Sequence, residues 1–304
     1  MQPETPAQAT PQATPAASQI YDLGYRGYDG PRLGRVYATW SLFVASLRAA
    51  FGLGRPARAK IAPWGLTAVA IVPAAVSLAI SASVGPDFSP FSYDDFLWQM
   101  QAIFSLFVAA QAPELVGGDQ RHRVLALYFS HALERVDYAI AKLAAMVAAL
   151  FIVMGVPMLV LWIGRILGST DLAAAVGDEL GALPQVIGAP LLHAVGVGAV
   201  ALAIAAFTPR RAYATGAIIA VFIVGQGIAE AVARGTNGPL RDFGPLVNPF
   251  VWLDGARDWL LGRTVADSPV ASSDLSLPTY GLITVVVVAV AIGLTLWRYR
   301  RIAA

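Results

Sequence analysis

The sequence predicts an all-α polytopic membrane protein: six transmembrane helices, an N-terminal amphipathic interfacial helix, a cytoplasmic helix after the second span, and an outer amphipathic helix between spans five and six. Three observations predict it. The 304-residue chain is 57% hydrophobic and only 13% charged, about half the charged fraction of an ordinary soluble domain. Several apolar runs reach or exceed the roughly 20 residues that cross a bilayer. Those runs do not alternate apolar and polar residues, which argues against a membrane β-barrel.

Residues 1–18, MQPETPAQATPQATPAAS, have neither a basic n-region nor an apolar h-region and so do not read as a signal peptide. Their Pro, Ala, Thr and Gln content predicts a disordered cytoplasmic tail. IYDLGYRGYDGPRLGR, residues 20–35, repeats Tyr, Gly and Asp and reads as turns. The expected organisation is thus a tail at 1–35 and a transmembrane domain at 36–304. In VYATWSLFVASLRAAF, the residues Val36, Tyr37, Trp40, Phe43, Val44, Leu47 and Phe51 recur at helical spacing. A helix of that pattern, ending before Arg55, Arg58 and Lys60, is expected in the membrane interface.

The apolar runs place spans at about 61–84, 95–115, 138–164, 185–207, 213–233 and 278–297. With both termini inside, most of the 21 Lys and Arg residues fall on cytoplasmic segments, as the positive-inside rule requires. The first outer loop, VGPDFSPFSYDD, carries acids and no Lys or Arg. TPRRAY alone joins spans four and five, a tight hairpin. In PFVWLDGARDWLLG, Trp252, Leu253, Ala256, Trp259 and Leu260 share a face, with Asp254, Arg257 and Asp258 largely away from it. That pattern predicts a short helix lying at, or dipping into, the outer leaflet. Pro113, Pro157, Pro184 and Pro190 fall in or at the ends of spans, where membrane helices tolerate kinks.

Little in the chain points to catalysis. It has no cysteine, which removes thiolate chemistry and cysteine-ligated metals. His122, His131 and His193 do not converge by spacing, so no metal site is expected. GxSxG, HExxH and the GxxxxGK[ST] phosphate loop are all missing from the sequence. The expectation is a chain that is not an enzyme and binds no cofactor itself. A net charge of +2 reads as arginine at the cytoplasmic edges rather than as a nucleic-acid surface. Polar residues inside spans are Gln99, Gln101, Ser105 and Gln111 in the second, and Thr215, Gln226 and Glu230 in the fifth. Such residues either bond a neighbouring helix or mark a path.

The most informative stretch is APELVGGDQRHRVLALYFSHALERVDYAIAKLAA, residues 112–145. Leu125, Phe129, Ala132, Leu133 and Val136 make an apolar stripe with Tyr128 beside it, and Arg121, Arg123, Glu134, Arg135 and Asp137 supply charge. A helix of this kind suits docking on a soluble partner. The stretch resembles the signature of ABC-2-type transporter permeases: an acid at the end of the second span, a polar turn, a leucine-rich helix, an Arg, and a Lys opening the third span. Glu114, Asp119, Leu125, Leu127, Ser130, Arg135, Tyr138 and Lys142 fit those positions in register. Ala132 stands where the family usually has Pro, and Arg123 and Val124 where it has Gly and Thr. The six spans, the tight hairpin and the long outer segment extend the likeness over about residues 36–301.

The resemblance implies a bacterial cytoplasmic-membrane protein working as two permease chains with two copies of a soluble P-loop ATPase, which would carry the ATP and Mg. It implies a coupling role for Glu114, Asp119, Arg121, Arg123, Leu125, Tyr128, Phe129, Ser130, Arg135 and Lys142. It also implies a substrate path along Gln99, Gln101, Ser105, Gln226 and Glu230, facing the second permease chain, and export of an amphiphilic or hydrophobic substrate. The alternatives are a secondary transporter or channel independent of an ATPase, which usually needs internal repeats and buried charges, and a membrane enzyme, which needs a nucleophile or metal cluster.

Overall fold

The computed structural model describes residues 30, 33–85, 88, 90–121, 125–130, 133–208, 210–262, 265 and 268–301. The predicted tail lies almost wholly outside these residues, as do Arg123, His122, His131 and Ala132 and the side chain of Arg121. Gly34–Ala304 forms one compact unit.

Among the described residues there is no strand. The helices are α1 (Arg35–Ala50), α2 (Arg58–Val84), α3 (Tyr93–Gln99), α4 (Gln101–Arg121), α5 (Leu125–Phe129), α6 (Arg135–Leu167) and α7 (Leu172–Glu179). A wide π-type turn (Pro184–Gly188) opens α8 (Ala189–Phe207), and another (Ala220–Val224) joins α9 (Arg211–Ile219) to α10 (Gly225–Gly235). Then come α11 (Pro239–Phe243), α12 (Pro249–Leu261), α13 (Pro269–Ser272) and α14 (Leu277–Arg301). Five helical stretches are long and apolar enough to cross a membrane: Arg58–Val84, Arg135–Leu167, Pro184–Phe207, Arg211–Gly235 and Leu277–Arg301.

The predicted second span, 95–115, is not one helix. It breaks at Met100, whose N–H closes the end of α3 on Phe96, and α4 then continues to Arg121. Gln101, Gln111 and Glu114 make α4 more polar than the five stretches above. It is nonetheless deeply packed, with Phe104, Phe107, Val108 and Ala112 fully buried.

α6 is the axis of the bundle. It has 33 residues, about 50 Å of helix, and α1, α2, α8 and α14 all pack on it. α2 crosses it at two glycines. A Cβ on Gly164 would stand 2.9 Å from Leu78 Cα, and one on Gly168 would stand 2.5 Å from the Ser81 carbonyl. Both obstacles are backbone, so no rotamer change relieves them. Gly164→Val and Gly168→Val are each expected to cost about 1–3 kcal/mol, read as a lowered Tm in detergent. Gly216→Val, where an added Cβ meets nothing within 4 Å, is the control and should leave Tm near the wild-type value.

α1 is fastened to the start of α6 by Arg35. Its guanidinium gives Asp137 two bonds, 2.6 and 2.8 Å, and also reaches Glu134. Glu134 and Asp137 themselves form a reciprocal cap at the first turn of α6, satisfying donors that the helix leaves open. The opposite side of α1 leaves Val36, Tyr37 and Trp40 more than half exposed.

α12 departs from the surface helix expected for PFVWLDGARDWLLG. Every residue from Pro249 to Asp258 is buried, and only Trp259 and Leu260 remain well exposed. Small residues let it in: Gly196 on α8 abuts Leu253, Gly255 abuts Tyr280, and Gly281 abuts Trp259. Small residues at such contacts bring helix backbones close, a habit of membrane bundles.

Candidate functional site

In the charged stretch that follows α4, residues 122–124 and 131–132 lie outside the described residues. α4 carries the chain to Arg121, α5 is a five-residue helix, and α6 starts at Arg135. Around these pieces the structure gathers Asp119, Tyr128, Phe129, Tyr138, Lys142 and Tyr299. Asp119 Oδ2 accepts from Lys142 Nζ and from the Tyr138 hydroxyl, both at 2.8 Å. The Lys142 ammonium also lies 5.3 Å from the centre of the Tyr138 ring. Lys142 is 6% exposed and Tyr138 fully buried, so the Lys142 ammonium is held out of water by its pairing with Asp119.

Tyr138 is also the hub of an aromatic cluster. Tyr299, near the end of α14, lies 5.0 Å away ring to ring, and Tyr128 and Phe129 of α5 lie 5.8 and 6.1 Å away. Gln120 donates to the Tyr299 hydroxyl at 3.0 Å and to the Ala206 carbonyl of α8 at 3.4 Å. Arg135 sits over the Phe129 ring and donates to the Arg300 carbonyl at 3.1 Å. The ends of α4, α8 and α14, all of α5 and the start of α6 thus meet in one junction. Burial raises the phenol of Tyr128 above its ordinary range, and the nearby Asp119 charge adds to that.

This geometry redistributes the residues expected to dock a partner. Leu125 is 5% exposed and Leu133 6% exposed, both within the core. Tyr128 and Phe129 turn inward onto Tyr138. The expected apolar stripe therefore closes the junction and does not present a surface. The exposed side of α5 is Ala126, Leu127 and, just after it, Ser130, with Leu127 66% exposed. Ser130 Oγ donates to the Leu127 carbonyl and finishes the helix.

Glu114, one helical turn before the junction, is held apart from α5. Arg55, in the turn between α1 and α2, donates to Glu114 Oε1 at 2.7 Å, and Arg211, at the start of α9, stands 3.2 Å from Oε2. No local pattern signals this convergence, because the three residues come from segments distant along the chain.

The residues expected along a path divide in two. Gln101 and Ser105 are buried in the interior of the chain. Asn248 Nδ2 donates to Gln101 Oε1 at 3.0 Å, and Ser105 Oγ donates to the Gln101 carbonyl at 2.6 Å. Gln101 ties α4 to the start of α12, while Ser105 bonds within α4, and both side chains are buried inside the chain. Gln99 is exposed, Gln226 is half-buried, and Glu230 pairs with Arg234 at 2.8 Å.

A second polar centre, missed by sequence reading, lies where α8 meets α12. His193 Nε2 is 3.2 Å from Asp254 Oδ1, and Arg257 bonds Asp254 Oδ1 at 2.8 Å and Asp258 Oδ1 at 2.6 Å. All four side chains are at most 3% exposed. His193 Nδ1 lies 2.9 Å from the Ala189 carbonyl, where the ring can donate, and that leaves Nε2 to face Asp254 as an acceptor unless it is protonated. Three charges in an otherwise apolar helix, and a lone His in an apolar span, were the signal. Among the described residues no three His, Asp or Glu side chains stand close enough to hold a metal ion.

A smaller pairing closes the far end of α6. The Tyr93 hydroxyl donates to Glu179 at 2.7 Å, and the Arg165 guanidinium covers the Tyr93 ring at 5.0 Å.

No family model matches the chain, and no curated protein matches it.

Proposed function

We propose that the chain is the membrane subunit of an ATP-driven transporter, an exporter of amphiphilic or hydrophobic substrates, acting as a pair of permease chains with a separate P-loop ATPase. The sequence carries no GxxxxGK[ST] phosphate loop, so this reading assigns ATP and Mg to the partner. In this reading there are six spans, the second made of α3 and α4 together, and the junction with α5 lies on the cytoplasmic side with both termini. The membrane is the bacterial cytoplasmic membrane, and the exposed aromatic face of α1 sits in its interface.

The observation that carries the reading is the junction itself. Tyr128 and Phe129 of α5 pack on Tyr138, with Arg135 over the Phe129 ring; Tyr138 in turn bonds Asp119 of α4 and packs on Tyr299 of α14, and Leu127 is left projecting. A push on a helix anchored in this way moves several spans at once. That is what coupling to a soluble motor requires, and an ordinary loop would absorb the motion.

The test is recovery of the tagged chain from its native membrane in mild detergent, with identification of what comes with it. A soluble P-loop ATPase and ATP hydrolysis in the eluate are expected. Leu127→Asp should release that ATPase while leaving Tm unchanged, because Leu127 supports nothing in the core. Leu125→Asp is the wrong probe, since it would place a charge in the interior. An eluate with no P-loop subunit and no hydrolysis overturns the reading.

A further inference from the structure

Beside the Glu114 clamp is a cavity of about 320 Å³ lined by Arg55, Arg58, Arg211, Gln111 and Glu114, with alanines for the rest of its wall. Its lining thus carries three arginines and one carboxylate, and Arg55 and Arg211 pair with that carboxylate. Arg58 makes no ion pair with any described residue, and its side chain is exposed. Arginine forks match phosphate oxygens in geometry as well as in charge.

A second hollow, about 440 Å³, continues from this cavity between α2, α4 and α9. Its lining is almost entirely apolar, from Ile61, Gly65, Leu66, Leu106 and Ile219, and it shares Ala62 and Ala110 with the arginine cavity. Ile61 is 71% exposed and Leu106 39%, so the groove opens along the flank of two helical stretches long and apolar enough to cross a membrane. A cationic cup that opens onto an apolar trough has the shape of one amphiphile: an anionic head and a hydrocarbon tail.

From this juxtaposition we propose that the two hollows form a binding site for an anionic phospholipid. Its phosphate lies among Arg55, Arg58 and Arg211, and one acyl chain lies in the groove between α2, α4 and α9. Basic pockets at the ends of membrane helices favour such headgroups. The groove is what separates a lipid from free phosphate, which would use the arginines alone. The site requires that the helices span a bilayer. It requires no ATPase, so it stands or falls separately from the transport reading.

The experiment uses the full-length purified chain, without any partner, in phosphatidylcholine nanodiscs titrated with phosphatidylglycerol and followed by native mass spectrometry. Phosphatidylglycerol is expected to be retained in preference to phosphatidylcholine, and inorganic phosphate to displace it only at far higher concentration. Arg58→Gln breaks no contact among the described residues and is expected to weaken phosphatidylglycerol binding about fivefold, one surface charge at a membrane. Gly65→Phe fills the groove from a position where an added Cβ meets nothing within 4 Å. It should weaken lipid binding and leave inorganic phosphate binding unchanged. Equal retention of the two lipids overturns the proposal, as does an Arg58→Gln protein that binds phosphatidylglycerol as the wild type does. Inorganic phosphate competing on equal terms with phosphatidylglycerol also overturns it, by reducing the site to its arginines.

Discussion

Arg257→Met is expected to destabilise the protein by about 3–5 kcal/mol, the usual result of removing one partner from a buried ion pair. The guanidinium bridges Asp254 and Asp258 in a centre where no side chain is more than 3% exposed. Methionine fills much of the same volume, so the loss is electrostatic rather than a matter of packing. Two carboxylates would then share an apolar site with His193 as the nearest described cation former. The contrast that isolates this cause is the triple replacement Asp254→Leu, Arg257→Met, Asp258→Leu. Buried ion pairs replaced together by apolar residues of similar volume often cost nothing. The triple variant should therefore unfold at a higher temperature than Arg257→Met alone. If the single variant keeps the wild-type Tm, or the triple variant is the less stable of the two, then the ions do not hold α12 in place.

That centre marks the limit of what the sequence made legible. Five predicted spans correspond closely to the five long apolar stretches, because an uninterrupted apolar run of some 20 residues has few other uses. The second span was read as continuous because Gln99 and Gln101 looked like isolated polar residues in a helix. In the structure they flank the break at Met100, and Gln101 Oε1 accepts from Asn248, a partner nearly half the chain away. α12 was read as a surface helix because Asp254, Arg257 and Asp258 looked as though they needed water. Periodicity detects a polar face but does not say whether its charges will neutralise one another out of water, and here Arg257 pairs with both Asp254 and Asp258. In the stretch after α4, an aromatic residue from α14, Tyr299, packs on Tyr138, the ring on which Tyr128 and Phe129 close. For the candidate site, Asp119, Tyr128, Phe129 and Lys142 were legible as a group and are brought together. Arg55 and Arg211 around Glu114 were not, since contacts between distant segments leave no local pattern.

Lys142→Met is the variant expected to bear most directly on function. It leaves Asp119 with the Tyr138 hydroxyl as its remaining bond in a largely buried place. The cost should be about 3 kcal/mol, toward the low end for a broken buried pair, because the Asp119 side chain keeps 20% of its exposure. Asp119→Asn in the Lys142→Met background should recover part of that loss, since an amide still accepts from Tyr138 and carries no charge. The non-additivity of the two changes measures the pair itself. A coupling role for α5 predicts more than a loss of stability. Lys142→Met acts behind α5, whereas Leu127→Asp acts on its exposed face. With the ATPase partner present, Lys142→Met should leave its recovery with the chain intact and lower the substrate moved per ATP hydrolysed. Leu127→Asp should abolish the recovery. If the two variants lose the partner alike, α5 is simply a docking patch. If Lys142→Met alters neither transport nor its ratio to hydrolysis, the Asp119–Lys142–Tyr138 network holds the fold without transmitting force.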